Sequence, residues 1–118
     1  ALQSSANSYD YLRISTFYFF RPARIDGHAS DSHTAGTSYG QIVITSEPAA
    51  VLAIYTKYYT QPCTTTGFIE LFDEPGFGGE AEQYAAILVQ TTAGLANWMV
   101  TMYTPSWGGS QLVAVAPK

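Results

Sequence analysis

Phe68-Ile69-Glu70-Leu71-Phe72-Asp73-Glu74-Pro75-Gly76-Phe77-Gly78-Gly79-Glu80 is the stretch whose reading decides the fold. A strand-like run ends in an aromatic, Phe72. A short acidic turn follows, then a second aromatic, Phe77, and Gly79 two residues on. A backbone reversal this tight needs a residue that tolerates positive φ, and glycine does so without a Cβ clash. The two aromatics can then close over the turn and hide its backbone from water. Such a pattern speaks to fold before it speaks to function.

Working outward, strand signals dominate. Residues 16–20, 41–45, 51–59, 67–72, 80–89, 98–103 and 111–115 are short runs rich in β-branched and aromatic side chains, with a weaker run at 9–15. Turn formers separate them: Arg21-Pro22, Ile25-Asp26-Gly27, Glu47-Pro48, Pro75-Gly76, Thr104-Pro105-Ser106 and Gly108-Gly109. Short strands at this spacing predict an all-β sandwich or barrel. Residues 80–87 gather Ala and Glu as a helix would, but the run is too short to displace a strand.

The turn recurs upstream. Phe20-Arg21-Pro22-Ala23-Arg24-Ile25-Asp26-Gly27 has the same spacing of an aromatic, a large apolar residue and a glycine. Each half of the chain later ends in a Tyr-Thr pair, Tyr55-Thr56 and Tyr103-Thr104. Two four-strand units, about 14–59 and 67–115, would then pack as two sheets within one domain spanning 1–118.

The second copy resembles the βγ-crystallin Greek-key motif: an aromatic, four residues, an aromatic, one residue and glycine. Phe72, Phe77 and Gly79 match it, while in the first copy Phe20 and Gly27 match and Ile25 replaces the second aromatic. The resemblance implies a two-sheet Greek-key sandwich with structural turns at these residues. It also implies calcium chemistry, from which this chain departs. Calcium takes six to eight oxygen ligands. The corresponding stretch Ala96-Asn97-Trp98-Met99-Val100-Thr101 keeps Asn97 and at most Thr101, and the first-copy stretch near Pro48-Ala49-Ala50-Val51 offers none. Asp73 stands where the acidic ligand of the turn belongs, but its counterpart is Arg21. Asp73 and Asn97 remain the metal candidates, with calcium expected to bind weakly or not at all and no other cofactor implied.

Composition narrows the function classes. The 118 residues are 47% hydrophobic and 14% aromatic but only 12% charged, against ~25% charged in ordinary soluble domains. No apolar run approaches the ~20 residues that cross a bilayer, so a soluble chain is expected. Basic residues stop at Lys57 and resume only at Lys118, while Glu70, Asp73, Glu74, Glu80 and Glu82 fall between. A long segment without a cation cannot neutralise phosphates, which argues against nucleic acid and anionic membrane. A solvated acidic face is the plainer reading; a cation or a basic partner is the sharper one. Ala1-Leu2-Gln3 lacks an initiator Met and the chain is poor in lysine, as in a secreted mature protein. The lone Cys63 lies in a predicted loop. It is either a free or intermolecularly bonded thiol at a contact surface, or a small buried hydrophobe.

Catalytic signatures are missing from the sequence. Asp26-Gly27-His28-Ala29-Ser30-Asp31-Ser32-His33 gathers both histidines with two carboxylates, a set that could hold a transition metal. A polar loop extending to about Gly40 is the preferred reading. No nucleophile elbow or Cys-His signature is present, and a non-enzymatic protein is expected. Tyr55, Tyr58, Tyr59 and Trp107 are candidate contact residues, with half-buried strand packing as the alternative. The low charge of residues 51–59 favours a homodimer through a sheet edge or face. The resemblance, which extends to small secreted fungal proteins and killer toxins, implies an extracellular effector, elicitor or toxin that recognises a protein or glycan target. A lectin-like module and a calcium-stabilised structural protein are the alternatives.

Overall fold

Along residues 95–103 the side chains of Ala96, Trp98, Val100 and Met102 are buried while those of Leu95, Asn97, Met99, Thr101 and Tyr103 are exposed. That period-two alternation is the mark of a strand with one covered face. A computed structural model of the chain describes residues 16–19, 21–57, 63–74 and 82–118. Six strands occur among them: β1 Ala23–Thr45, β2 Ala49–Lys57, β3 Cys63–Thr65, β4 Ile69–Glu74, β5 Glu82–Gln90 and β6 Gly94–Pro117. All pairings are antiparallel, in the order β1-β6-β2-β5-β4, with β3 also on β6. The all-β expectation holds, and no helix forms among the described residues.

β1 and β6 run for 23 and 24 residues, beyond the usual 3–10, because both fold over. Gly36 pairs Ser106 and Ser38 pairs Thr101, so one residue of β1 faces four of β6. Extra residues bend a strand, and Pro105, which has no N–H to give, is tolerated in such a bulge. Residues 23–33 and 108–117 thereby join β2, β5 and β4, while residues 38–45 and 94–101 join β3. The second group lies over the first. A Cβ on Gly27 would meet Ile44 O at 2.8 Å and Val43 Cγ2 at 2.9 Å. The Ser46 N–H donates to Asp26 Oδ2 at 2.7 Å, and Arg24 pairs with Asp26 and Glu47. Between the two groups lies the core. Val51, Ala53, Tyr55, Tyr84, Leu112 and Ala114 meet Val43, Ala96, Trp98, Val100 and Met102 there.

Several expectations need correction. Gly27 makes no reversal: it sits in β1 opposite Ala114, and glycine is required there by the approach of Ile44 rather than by φ. The described glycines with positive φ are Gly67 (79°), in the bend between β3 and β4, and Gly94 (150°). The stretch read as a polar loop to Gly40 is strand β1 throughout. The runs 98–103 and 111–115 are one strand, and residues 16–19 form none. β4 continues past Phe72 to Glu74, with the Phe72 ring stacked on Phe17 at 6.5 Å. β2 lies between β6 and β5, so it offers no edge for pairing with a second copy. Strands of the two expected units interleave, since β6 pairs with β1, β2 and β3. Phe20, Tyr58, Tyr59, Phe77 and Gly79 lie outside the described residues.

Candidate functional site

Alternation along β2 turns Val51, Ala53 and Tyr55 inward, and Lys57 follows them. Its side chain is 0% exposed. Register pairs Lys57 with Glu82, the first residue of β5, and β4 brings up Asp73 opposite Tyr84. Lys57 Nζ lies 3.0 Å from Glu82 Oε1 and 3.5 Å from Asp73 Oδ1. A buried ammonium is tolerated when paired in this way. Burial pulls the Lys57 pKa down, but the Glu82 hydrogen bond and the Cys63 and Asp73 side chains outweigh it, and the net direction is up. Burial, then hydrogen bonding to Glu82, pushes the Asp73 carboxyl up to about 7 despite Lys57. Cys63, buried in β3, is pushed up by burial, only partly offset by Lys57. It is held as a thiol rather than a nucleophilic thiolate.

This gives a prediction with a fixed sign. A carboxyl whose folded pKa exceeds its unfolded value of 3.8 binds more protons folded than unfolded. Its stabilisation is complete below that unfolded value and lost as pH rises through about 7. Asp26 acts oppositely: Ser46 hydrogen bonds hold its pKa low, so its contribution disappears only as pH falls below the ordinary carboxylate range. Stability should therefore fall between pH 4 and 8 by on the order of 2 kcal/mol. Urea midpoints for wild type and Asp73→Asn check this, with the slope expected to flatten in the variant.

Next to this set is an aromatic group. His33 Nε2 lies 2.7 Å from Tyr55 OH, and the Tyr55 hydroxyl donates to Met102 Sδ at 3.5 Å. His33 stacks on Tyr39 at 4.4 Å and Tyr55 packs on Trp98 at 5.5 Å. The ring of Tyr55 occupies the place a Cβ of Gly108 would take, at 2.7 Å. Burial drives the Tyr55 pKa up, so the phenol stays neutral.

The structure redistributes the residues chosen from sequence. Tyr55 is a core residue and Cys63 is buried in a strand, so neither presents a contact surface. Trp107 is 64% exposed. Asp73 is engaged by Lys57, while Asn97 is exposed on β6 opposite Ile42, on a strand that does not pair with β4. No group of three metal-ligating side chains occurs among the described residues. β1 turns His28 outward beside Val113 and His33 inward to Tyr55, so the two histidines face away from each other.

Sequence reasoning missed the outer face of the folded-over hairpin. Ile42 (50%), Ile44 (68%), Leu95 (57%) and Met99 (39%) are exposed there, with Ile44 directly across from Leu95 and Met99 over Gly40. No charged side chain stands on residues 38–45 or 94–101. The signal was present in Gln41-Ile42-Val43-Ile44-Thr45, which is apolar on both faces of the strand. Among the described residues no helix is long and apolar enough to cross a membrane. No protein-family model, curated protein or solved structure matches the chain.

Proposed function

We propose that the protein is a non-catalytic recognition protein that engages a protein partner through the outer face of the β1–β6 hairpin. One observation carries the reading: Ile42, Ile44, Leu95 and Met99 form an exposed, uncharged and largely apolar patch on a sheet, with Asn97 its polar member opposite Ile42. A solvated sheet face is ordinarily polar, and a patch of this kind loses free energy to water until a partner covers it. The patch lies on a frame fixed by the Asp26–Ser46 and Lys57–Glu82 contacts. Recognition by a rigid face pays little ordering entropy. The low charge and Ser/Thr-rich composition fit an extracellular setting, in which the effector, elicitor or toxin-type role is the corresponding biology. Exposed Tyr103 and Trp107 favour a second reading, stacking on a glycan.

Labelled protein applied to intact microbial and plant cells separates the two. Binding that is abolished by protease treatment of the cells and by Ile44→Glu with Leu95→Glu, but survives Trp107→Ala, supports the protein-partner reading. Binding that survives protease and is lost in Trp107→Ala replaces it with the glycan reading. Wild type that binds no better than the Ile44→Glu, Leu95→Glu variant overturns the proposal.

A further inference from the structure

At the opposite end of β2 from Lys57, an apolar groove of about 530 Å³ opens between the segment before β1, the β1–β2 turn and the ends of β5 and β6. Phe19, Pro48, Ala50, Val89 and Val115 form its walls. Phe19 and Val115 also border a second groove of about 330 Å³ that runs over Leu52, Ile54 and Val113, so the two adjoin along the outer face of β2 and β6. Both volumes lie within the ~300–1,000 Å³ of small-molecule sites. Arg21 lines the first groove and makes no ion pair among the described residues. It contrasts with Arg24, which is occupied by Asp26 and Glu47. The other polar side chain on the wall, Gln90, is committed to Thr45 and Leu95.

We propose that this trough binds a free long-chain aliphatic carboxylate, with the chain along Phe19, Val89 and Val115 and the carboxylate on Arg21. Charge complementarity selects this occupant. A long apolar trough whose described lining carries a single unpaired cation, Arg21, fits one anionic head and one apolar tail. The guanidinium fork matches a carboxylate in a bidentate, charge-assisted contact. A neutral alcohol would forgo that contact, and an alkylammonium would be repelled. The site is separate from the hairpin face and goes beyond the recognition reading.

Displacement of a fluorescent fatty acid from the full chain, below micelle concentrations, tests it. Dodecanoate should displace the probe at least tenfold better than dodecanol or dodecyltrimethylammonium. Arg21→Gln should remove the tenfold preference and leave dodecanol unchanged. Val89→Asn should weaken dodecanoate and dodecanol alike, with circular dichroism confirming the fold of each variant. Ile44→Glu should have no effect, which keeps this test independent of the hairpin face. Absence of saturable probe binding to wild type overturns the proposal. So does equal displacement by the three amphiphiles, or an unchanged preference in Arg21→Gln.

Discussion

Lys57→Met should destabilise the fold by roughly 3–5 kcal/mol at pH 8, the cost of leaving buried carboxylates without their cation. Lys57 has no solvent exposure, and Glu82 at 3.0 Å is 4% exposed. Methionine fills the space of the aliphatic stem, so the loss is electrostatic rather than volumetric. Two signatures separate it from a packing defect. The deficit should shrink as pH falls through about 7, where Asp73 takes up a proton instead of seeking a cation. Adding Asp73→Asn and Glu82→Gln should recover much of the loss, because a neutral set no longer needs an ammonium. Arg24→Met is the control: Arg24 is 45% exposed and Asp26 keeps its Ser46 hydrogen bonds without it, so the loss should be nearer the ~0–1 kcal/mol of exposed pairs. Urea midpoints of all four proteins across pH decide the matter. A Lys57→Met deficit below 1 kcal/mol, or one indifferent to pH, would show that the cluster is not ion-paired in solution.

The same cluster shows what a chain can reveal about itself. Val51, Ala53, Tyr55 and Lys57 occur at alternate positions, so the inward direction of Lys57 is readable from β2 alone. Its partner is not, since Glu82 reaches it only through the β2–β5 register. Short-range alternation likewise located most strands, but failed where hydrogen bonding to a distant strand overrode weak propensity. Gly27, Ser30, Asp31 and Ser32 favour turns, yet each is held extended by β6 residues about eighty positions later. Strand propensity yields to such pairing. An edge strand rich in polar and small residues is also one that resists pairing with other molecules. Pro105 misled in the opposite direction: it marked a break in β6, which the structure resolves as a bulge that folds the strand over. The exposed hairpin patch and the Arg21 groove depend on that fold-over and on the approach of Phe19, Arg21 and Pro22 to the end of β6, neither of which any local pattern encodes.

Trp98→Ala should cost ~3–5 kcal/mol, as truncation of a fully buried indole does. Trp98 is 0% exposed and contacts Tyr55 and Tyr39, at centroid distances of 5.5 and 6.4 Å, where the two halves of the folded hairpin meet. Its loss would open a void between the layers that the His33–Tyr55–Met102 contacts hold apart. Trp98→Phe is the informative companion. The Nε1 of Trp98 is buried without a hydrogen-bond acceptor among the described residues, and an unsatisfied buried donor costs about 1–3 kcal/mol. Phenylalanine gives up part of the packing but also removes that donor, so its deficit should stay under ~2 kcal/mol. Trp107 is exposed and would remain the only tryptophan in either variant, so unfolding should be followed by far-ultraviolet circular dichroism. A phenylalanine variant as damaged as the alanine one would mean that the indole N–H is satisfied, and that Trp98 stabilises the core through that bond as well as through its ring.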